Sequence, residues 1–135
     1  MRYSVVEREP VAVVYAAAAG EWESIPAAAG RAFEVLEALI PPKGRKIYGY
    51  WHPPAGEYRA CYARQDADDM TVLGLREDVL PGGRYARARL RGDGAFAEIG
   101  PSFAALAEEV HPDDDRPWLE FYRRHDEVDL LLPVA

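Results

Sequence analysis

This chain of 135 residues has one cysteine, Cys61. That excludes an internal disulfide and any cysteine-based zinc site, and it fits a reducing cytoplasm. No activating histidine or triad accompanies Cys61, so it reads as a buried strand residue. Positive charge is also short: 16 Lys and Arg face 23 Asp and Glu, a formal charge of −7. Phosphate binding needs a basic field, so direct binding of DNA or RNA is not expected. No apolar run approaches the roughly 20 residues of a spanning helix, and residues 1–7 lack a signal peptide's apolar stretch. The expectation is a soluble, cytoplasmic protein with no membrane association. His52, His111 and His125 have no metal-ligand spacing and fall in predicted loops. The acidic stretches 66–69 and 113–115 lack the glycine and distal glutamate of a calcium loop. Phosphate-loop and dinucleotide fingerprints are missing too, so neither metal nor cofactor is expected.

What is present suits one domain over residues 1–135, long enough to bury a core of its own, since chains near 150 residues bury roughly 70% of their unfolded surface. Residues 3–18 read as an extended arm, broken at Glu9-Pro10, and a strand over 11–16. Ser24 offers an N-cap and Pro26 a permitted first-turn proline for a helix with Ala29, Phe33, Leu36 and Ile40 as its buried stripe, ended by Pro41-Pro42. Residues 46–51 and 58–64 read as a hairpin around the turn 52–56. A short strand is predicted over 71–75 and a turn at 81–83. The pattern then starts again: a strand over 84–90, a helical stretch over 94–110 with Phe96, Ile99, Phe103 and Leu106 on one face and a kink or break at Gly100-Pro101, and strands over 118–123 and 128–134. Repeats at about 3–65 and 81–135 would give an α+β fold. Its two pseudo-twofold strand–helix–strand–strand modules, with antiparallel sheets, would surround a central ligand cleft.

The segments Pro81-Gly82-Gly83-Arg84-Tyr85-Ala86, Ala95-Phe96-Ala97-Glu98-Ile99, Trp118-Leu119-Glu120-Phe121-Tyr122 and Asp129-Leu130-Leu131-Leu132-Pro133-Val134, preceded by Tyr48-Gly49-Tyr50-Trp51 and Tyr58-Arg59-Ala60-Cys61, resemble the GyrI-like small-molecule-binding family. That family includes the effector-binding domains of the BmrR and Rob regulators. The resemblance spans nearly the whole chain. It implies two modules facing each other across a ligand cleft, with an acid in the cleft at Glu120. In multidrug-binding members this acid, ringed by aromatics, receives lipophilic cations. Only Met1 and Arg2 precede the first strand, so the chain reads as a stand-alone effector domain, with any regulator or protein partner separate.

Period two places Trp118, Glu120 and Tyr122 on one strand face and Leu119 and Phe121 on the other. A dry carboxylate between two rings needs a partner, water or a raised pKa, and a cationic ligand would supply the partner. The candidate ligand-binding residues are Glu120, Trp118 and Tyr122, with Tyr48, Trp51 and Tyr85 from other strands. Gly49 aligns with Glu120 between the repeats, so its missing side chain would leave room opposite the acid. Asp129 is either a second acid at the cleft mouth or a solvated strand-end carboxylate. Arg87, Arg89 and Arg91 alternate onto one face, as a solvent face or an anion site. The leading expectation is capture of lipophilic, cationic or aromatic small molecules. A branch of the family opens strained cyclopropane rings, which makes a hydrolase using Glu120 and Tyr122 the alternative. A third reading is a protein-interaction module, such as a topoisomerase inhibitor.

Overall fold

The computed structural model describes residues 1–69 and 74–135. The predicted strand over 71–75 falls largely outside them. Among the described residues, eight strands form one sheet: β1 (Ser4–Arg8), β2 (Val11–Ala19), β3 (Ile47–His52), β4 (Glu57–Ala63), β5 (Arg76–Leu80), β6 (Gly83–Arg91), β7 (Trp118–Arg124) and β8 (Glu127–Pro133). Helix α1 (Ile25–Leu39) follows β2, and α2 (Ile99–Glu109) follows β6. Every pairing is antiparallel, in the spatial order β1-β6-β8-β7-β3-β4-β2-β5. Exchanging β1–β4 with β5–β8 turns that order into its own reverse. The fold is α+β, a curled half-barrel with two strand–helix–strand–strand modules joined at β3 and β7. Each module lends its leading strand to the other: β1 pairs with β6, and β5 with β2.

Both helices lie on one face of the sheet. Ala28, Ala32 and Leu36 of α1 pack on Val14, Ala16, Tyr58, Ala60 and Tyr62, while Phe103 and Leu106 of α2 pack on Ala86, Ala88, Val128, Leu130 and Leu132. Two alanines at the contact let α1 approach the sheet closely. The expected stripe is thereby rotated: Ala29 and Phe33 sit at its edge, half-buried. The opposite face groups Val13, Tyr48, Leu80, Tyr85, Leu119 and Leu131, with Val6 packed against them, so both edge strands and the middle of the sheet contribute. Contact between edge and central residues shows that this face curls inward on itself.

Ser24 stands at the N-cap position of α1, with Pro26 in the first turn, but its hydroxyl bonds the Glu21 backbone and does not cap the helix. The second helix starts later than predicted. Phe96–Glu98 forms a 3-10 turn and α2 begins at Ile99, so Pro101 stands in the first turn, where a missing N–H leaves no bond unmade. Gly56 closes the β3–β4 connection at φ +63°, a left-handed conformation that glycine adopts without strain. Among the described residues no helix is long and apolar enough to cross a membrane.

Candidate functional site

Strands β3 and β7 run side by side at the centre of the sheet, with Trp51 opposite Trp118, Gly49 opposite Glu120 and Ile47 opposite Tyr122. On the helix face the first turns of α1 and α2 stand apart above them. The gap is a cavity of about 520 Å³. Trp51 and Trp118 come from its floor, Trp22 and Ile25 from the α1 side, Phe96 and Phe103 from the α2 side. Trp118 meets Trp22 edge to face, with centroids 5.5 Å apart, and leans on Phe103 at 5.3 Å. Trp22 and Phe96 are 38% and 47% exposed, so they form the rim. All three tryptophans of the chain line this one cavity.

Glu120 also lines the cavity, although only 7% of it is exposed. The hydroxyls of Tyr58 and Tyr122 both donate to its Oε1, at 2.7 and 2.6 Å. Among the described residues no group donates to Oε2. Burial pushes the Glu120 carboxyl above its ordinary range, and the two tyrosine hydrogen bonds pull it partly back. Burial, together with the neighbouring carboxylate, drives both phenols well above 10, so they remain protonated donors. Glu23 is the other carboxyl residue on the wall, and no Lys, Arg or His lines it. A cavity with acids and no base in a low-dielectric wall attracts cations.

Gly49 makes the carboxylate's position possible. A Cβ at this position would lie 2.1 Å from both Glu120 Oε1 and the Tyr58 hydroxyl, inside any permitted contact. The glycine is required by space, since its backbone is ordinary strand.

Of the residues singled out from sequence, Trp51, Trp118, Glu120 and Tyr122 come together here. Tyr48, Tyr85 and Asp129 lie on the opposite face of the sheet. Tyr48 stacks on Phe121 at 4.9 Å, and the Tyr85 hydroxyl donates to the Pro81 carbonyl. Asp129, only 2% exposed, is held by Arg89 through two hydrogen bonds of 2.7 and 3.1 Å, so it is neither solvated nor at the cavity. The contributors not singled out include Trp22, Phe96 and Tyr58. Trp22 and Phe96 sit in 3-10 turns with no periodicity to mark their facing. The signal for Tyr58 was its hairpin register, which sets it opposite Trp51, a candidate on the same face. Among the described residues, no three His, Cys, Asp or Glu side chains are grouped to hold a metal.

No family model matches the chain, and no curated protein does. Solved structures do. SAV2435 bound to tetraphenylphosphonium superposes with a TM-score of 0.68 at 13% identity, over 100% of this chain and 94% of that one. An integron cassette protein from the mobile metagenome of Vibrio cholerae gives 0.72 at 15%, over 98% and 95%. EcmrR, in its complex with DNA, gives 0.59 at 13%, over 98% of this chain and 56% of that one. At such identities the likeness is one of fold.

Proposed function

With the chain folded as the GyrI-like small-molecule-binding proteins are, we propose that it captures lipophilic aromatic cations in the cavity between α1 and α2. The observation that carries this reading is the Glu120 carboxylate, buried among aromatic rings with two hydroxyl donors on one oxygen and no counter-charge on the wall. A cationic ligand supplies that charge. Trp51, Trp118 and Trp22 add cation–π attraction of about 0.5–2 kcal/mol each, and apolar burial contributes about 25 cal/mol per Å². The tetraphenylphosphonium held by SAV2435 is a ligand of this chemistry.

Because every tryptophan lines the cavity, tryptophan fluorescence, excited where tyrosine does not absorb, reports on this site. Titration with tetraphenylphosphonium is expected to quench it saturably, with weaker binding in Glu120→Gln. An unsaturable response, or equal affinity in both proteins, would count against the reading.

A second reading is favoured by the Tyr58–Glu120–Tyr122 cluster itself. A carboxyl with a raised pKa can orient and activate water, and a protonated phenol can donate to a leaving oxygen. Turnover of a strained-ring or ester substrate, lost in both Glu120→Gln and Tyr122→Phe, would establish hydrolysis. Stoichiometric binding without product would exclude it for that substrate.

A further inference from the structure

The groove between the helices continues beyond the tryptophan-lined chamber. A second cavity of about 510 Å³ shares Phe96 and Tyr122 with the first and is bounded by Phe33, Ile47, Arg123 and Arg124. The Tyr122 ring divides the two. It meets Phe96 at 5.3 Å and Phe33 at 5.8 Å, both edge to face, and its hydroxyl is fixed on Glu120. One wall therefore faces both chambers.

The chambers are opposite in charge. The first carries Glu120 and Glu23 with no base, while the second carries Arg45, Arg123, Arg124 and His125 against Glu37. Arg45 is neutralised by Asp68, at 2.6 Å. Arg123 and Arg124 both turn to Glu127, at 2.9 and 3.6 Å, but Arg91 claims the same carboxylate at 3.1 Å, and Arg89, already paired with Asp129, stands 3.5 Å from it. Three guanidinium groups thus share one acid. Asp126, in the same turn, forms no ion pair among the described residues. Arg124 has the longest of these contacts and a side chain 72% exposed, so it is the cation most available to something else.

We propose that the second chamber is a carboxylate subsite. On this assignment, which rests on the cation-binding reading of the first chamber, the ligand is an amphoteric lipophile. Its cationic aromatic end sits against Glu120, and its carboxylate reaches past Phe96 to Arg124 and Arg123. The planar guanidinium fork matches a carboxylate in a way a point charge does not. Phe33, Ile47 and Phe96 suit an apolar stem carrying a single charge.

The test uses carboxyalkyl-triphenylphosphonium probes of increasing chain length and their methyl esters, which differ from them by one negative charge. Binding is read by tryptophan quenching at low ionic strength. At its best length the acid is expected to bind about two- to fivefold tighter than its ester, the size of a partly solvated ion pair. Arg124→Gln is expected to erase that preference and Arg124→Glu to invert it, while the ester, a cation, binds no more weakly to either variant than to the native protein. The Arg124 side chain is 72% exposed and its ion pair with Glu127 is the longest of the group at 3.6 Å, so both variants should be folded. Equal binding of acid and ester at every length, or Arg124 variants that shift both alike, would overturn the subsite while ester binding that depends on Glu120 left the first chamber standing. If neither probe quenches the native protein, the first-chamber reading falls and the subsite with it.

Discussion

Replacing Glu120 by glutamine should make the empty protein more stable and a poorer binder. The folded-state pKa of Glu120 is raised, so its protonated form is the one the fold favours. That contribution is complete below the ordinary carboxylate value of 4.5 and is lost as pH rises through the folded value. Once ionised, the carboxyl is a buried charge that the empty cavity penalises. Glutamine copies the protonated form in shape, and its carbonyl can still accept from Tyr58 and Tyr122. Replacing a buried charge by a neutral group typically gains about 1–4 kcal/mol. Weakening two charge-assisted hydrogen bonds returns about 1 kcal/mol each. The two terms balance at a net gain of about 0.5 kcal/mol, or about 2 °C in melting temperature, at pH 7. The gain should shrink as pH falls through the raised folded value and be gone by 4.5. For a bound cation at about 4 Å and an effective dielectric near ~20, the lost attraction is about 4 kcal/mol. Part of this is offset by relief of desolvation, so an affinity loss of about ten- to a hundredfold is expected. Urea melts across pH and tryptophan quenching measure the two effects on the same samples. A variant less stable at pH 7 than the native protein, or one that binds the cation undiminished, would refute the reasoning.

Gly49→Ala should force the Glu120 carboxylate and the Tyr58 hydroxyl aside, since each lies 2.1 Å from the added carbon; a loss of about 1–3 kcal/mol in urea melts is expected, with weaker cation binding. Arg45 holds the Asp68 carboxyl at about 2, below its ordinary 3.8. The stability this pair gives is therefore present above 3.8 and lost as pH falls toward 2, a dependence that Asp68→Asn should remove from acid-unfolding curves. The buried Tyr62 hydroxyl has no partner among the described residues, so Tyr62→Phe should leave stability unchanged or raise it by about 1 kcal/mol in the same melts.

Much of the site was legible where strand periodicity applies. The alternation in β7 put Trp118, Glu120 and Tyr122 on one face, and that is the face turned to the cavity. Pairing Gly49 with Glu120 in the repeat anticipated the close approach that the missing Cβ permits. The same rule, applied to β3, separates two candidates. Tyr48 and Trp51 are three residues apart in a regular strand, so they point to opposite faces. Trp22 and Phe96 carry no such rule, because a 3-10 turn of three residues has no repeating face. The strand β5 was hidden for another reason. Its residues Arg76, Glu77, Asp78 and Val79 are exposed at the sheet edge, where charge discourages further pairing, and they show no apolar alternation. In α1 the spacing gave the helix, but the choice between Ala28 and Ala29 as the contact position depends on how closely the helix approaches the sheet.

The central claim is that the cavity beside Glu120 receives a lipophilic cation. Tetraphenylarsonium carries an anomalous scatterer at its centre, so a crystal of the complex locates the charge directly. The account predicts one strong arsenic peak in the chamber formed by Trp22, Trp51, Trp118 and Glu120. A crystal with arsenic only on the outer surface or on the opposite face of the sheet, or with none at saturating concentration, would contradict it.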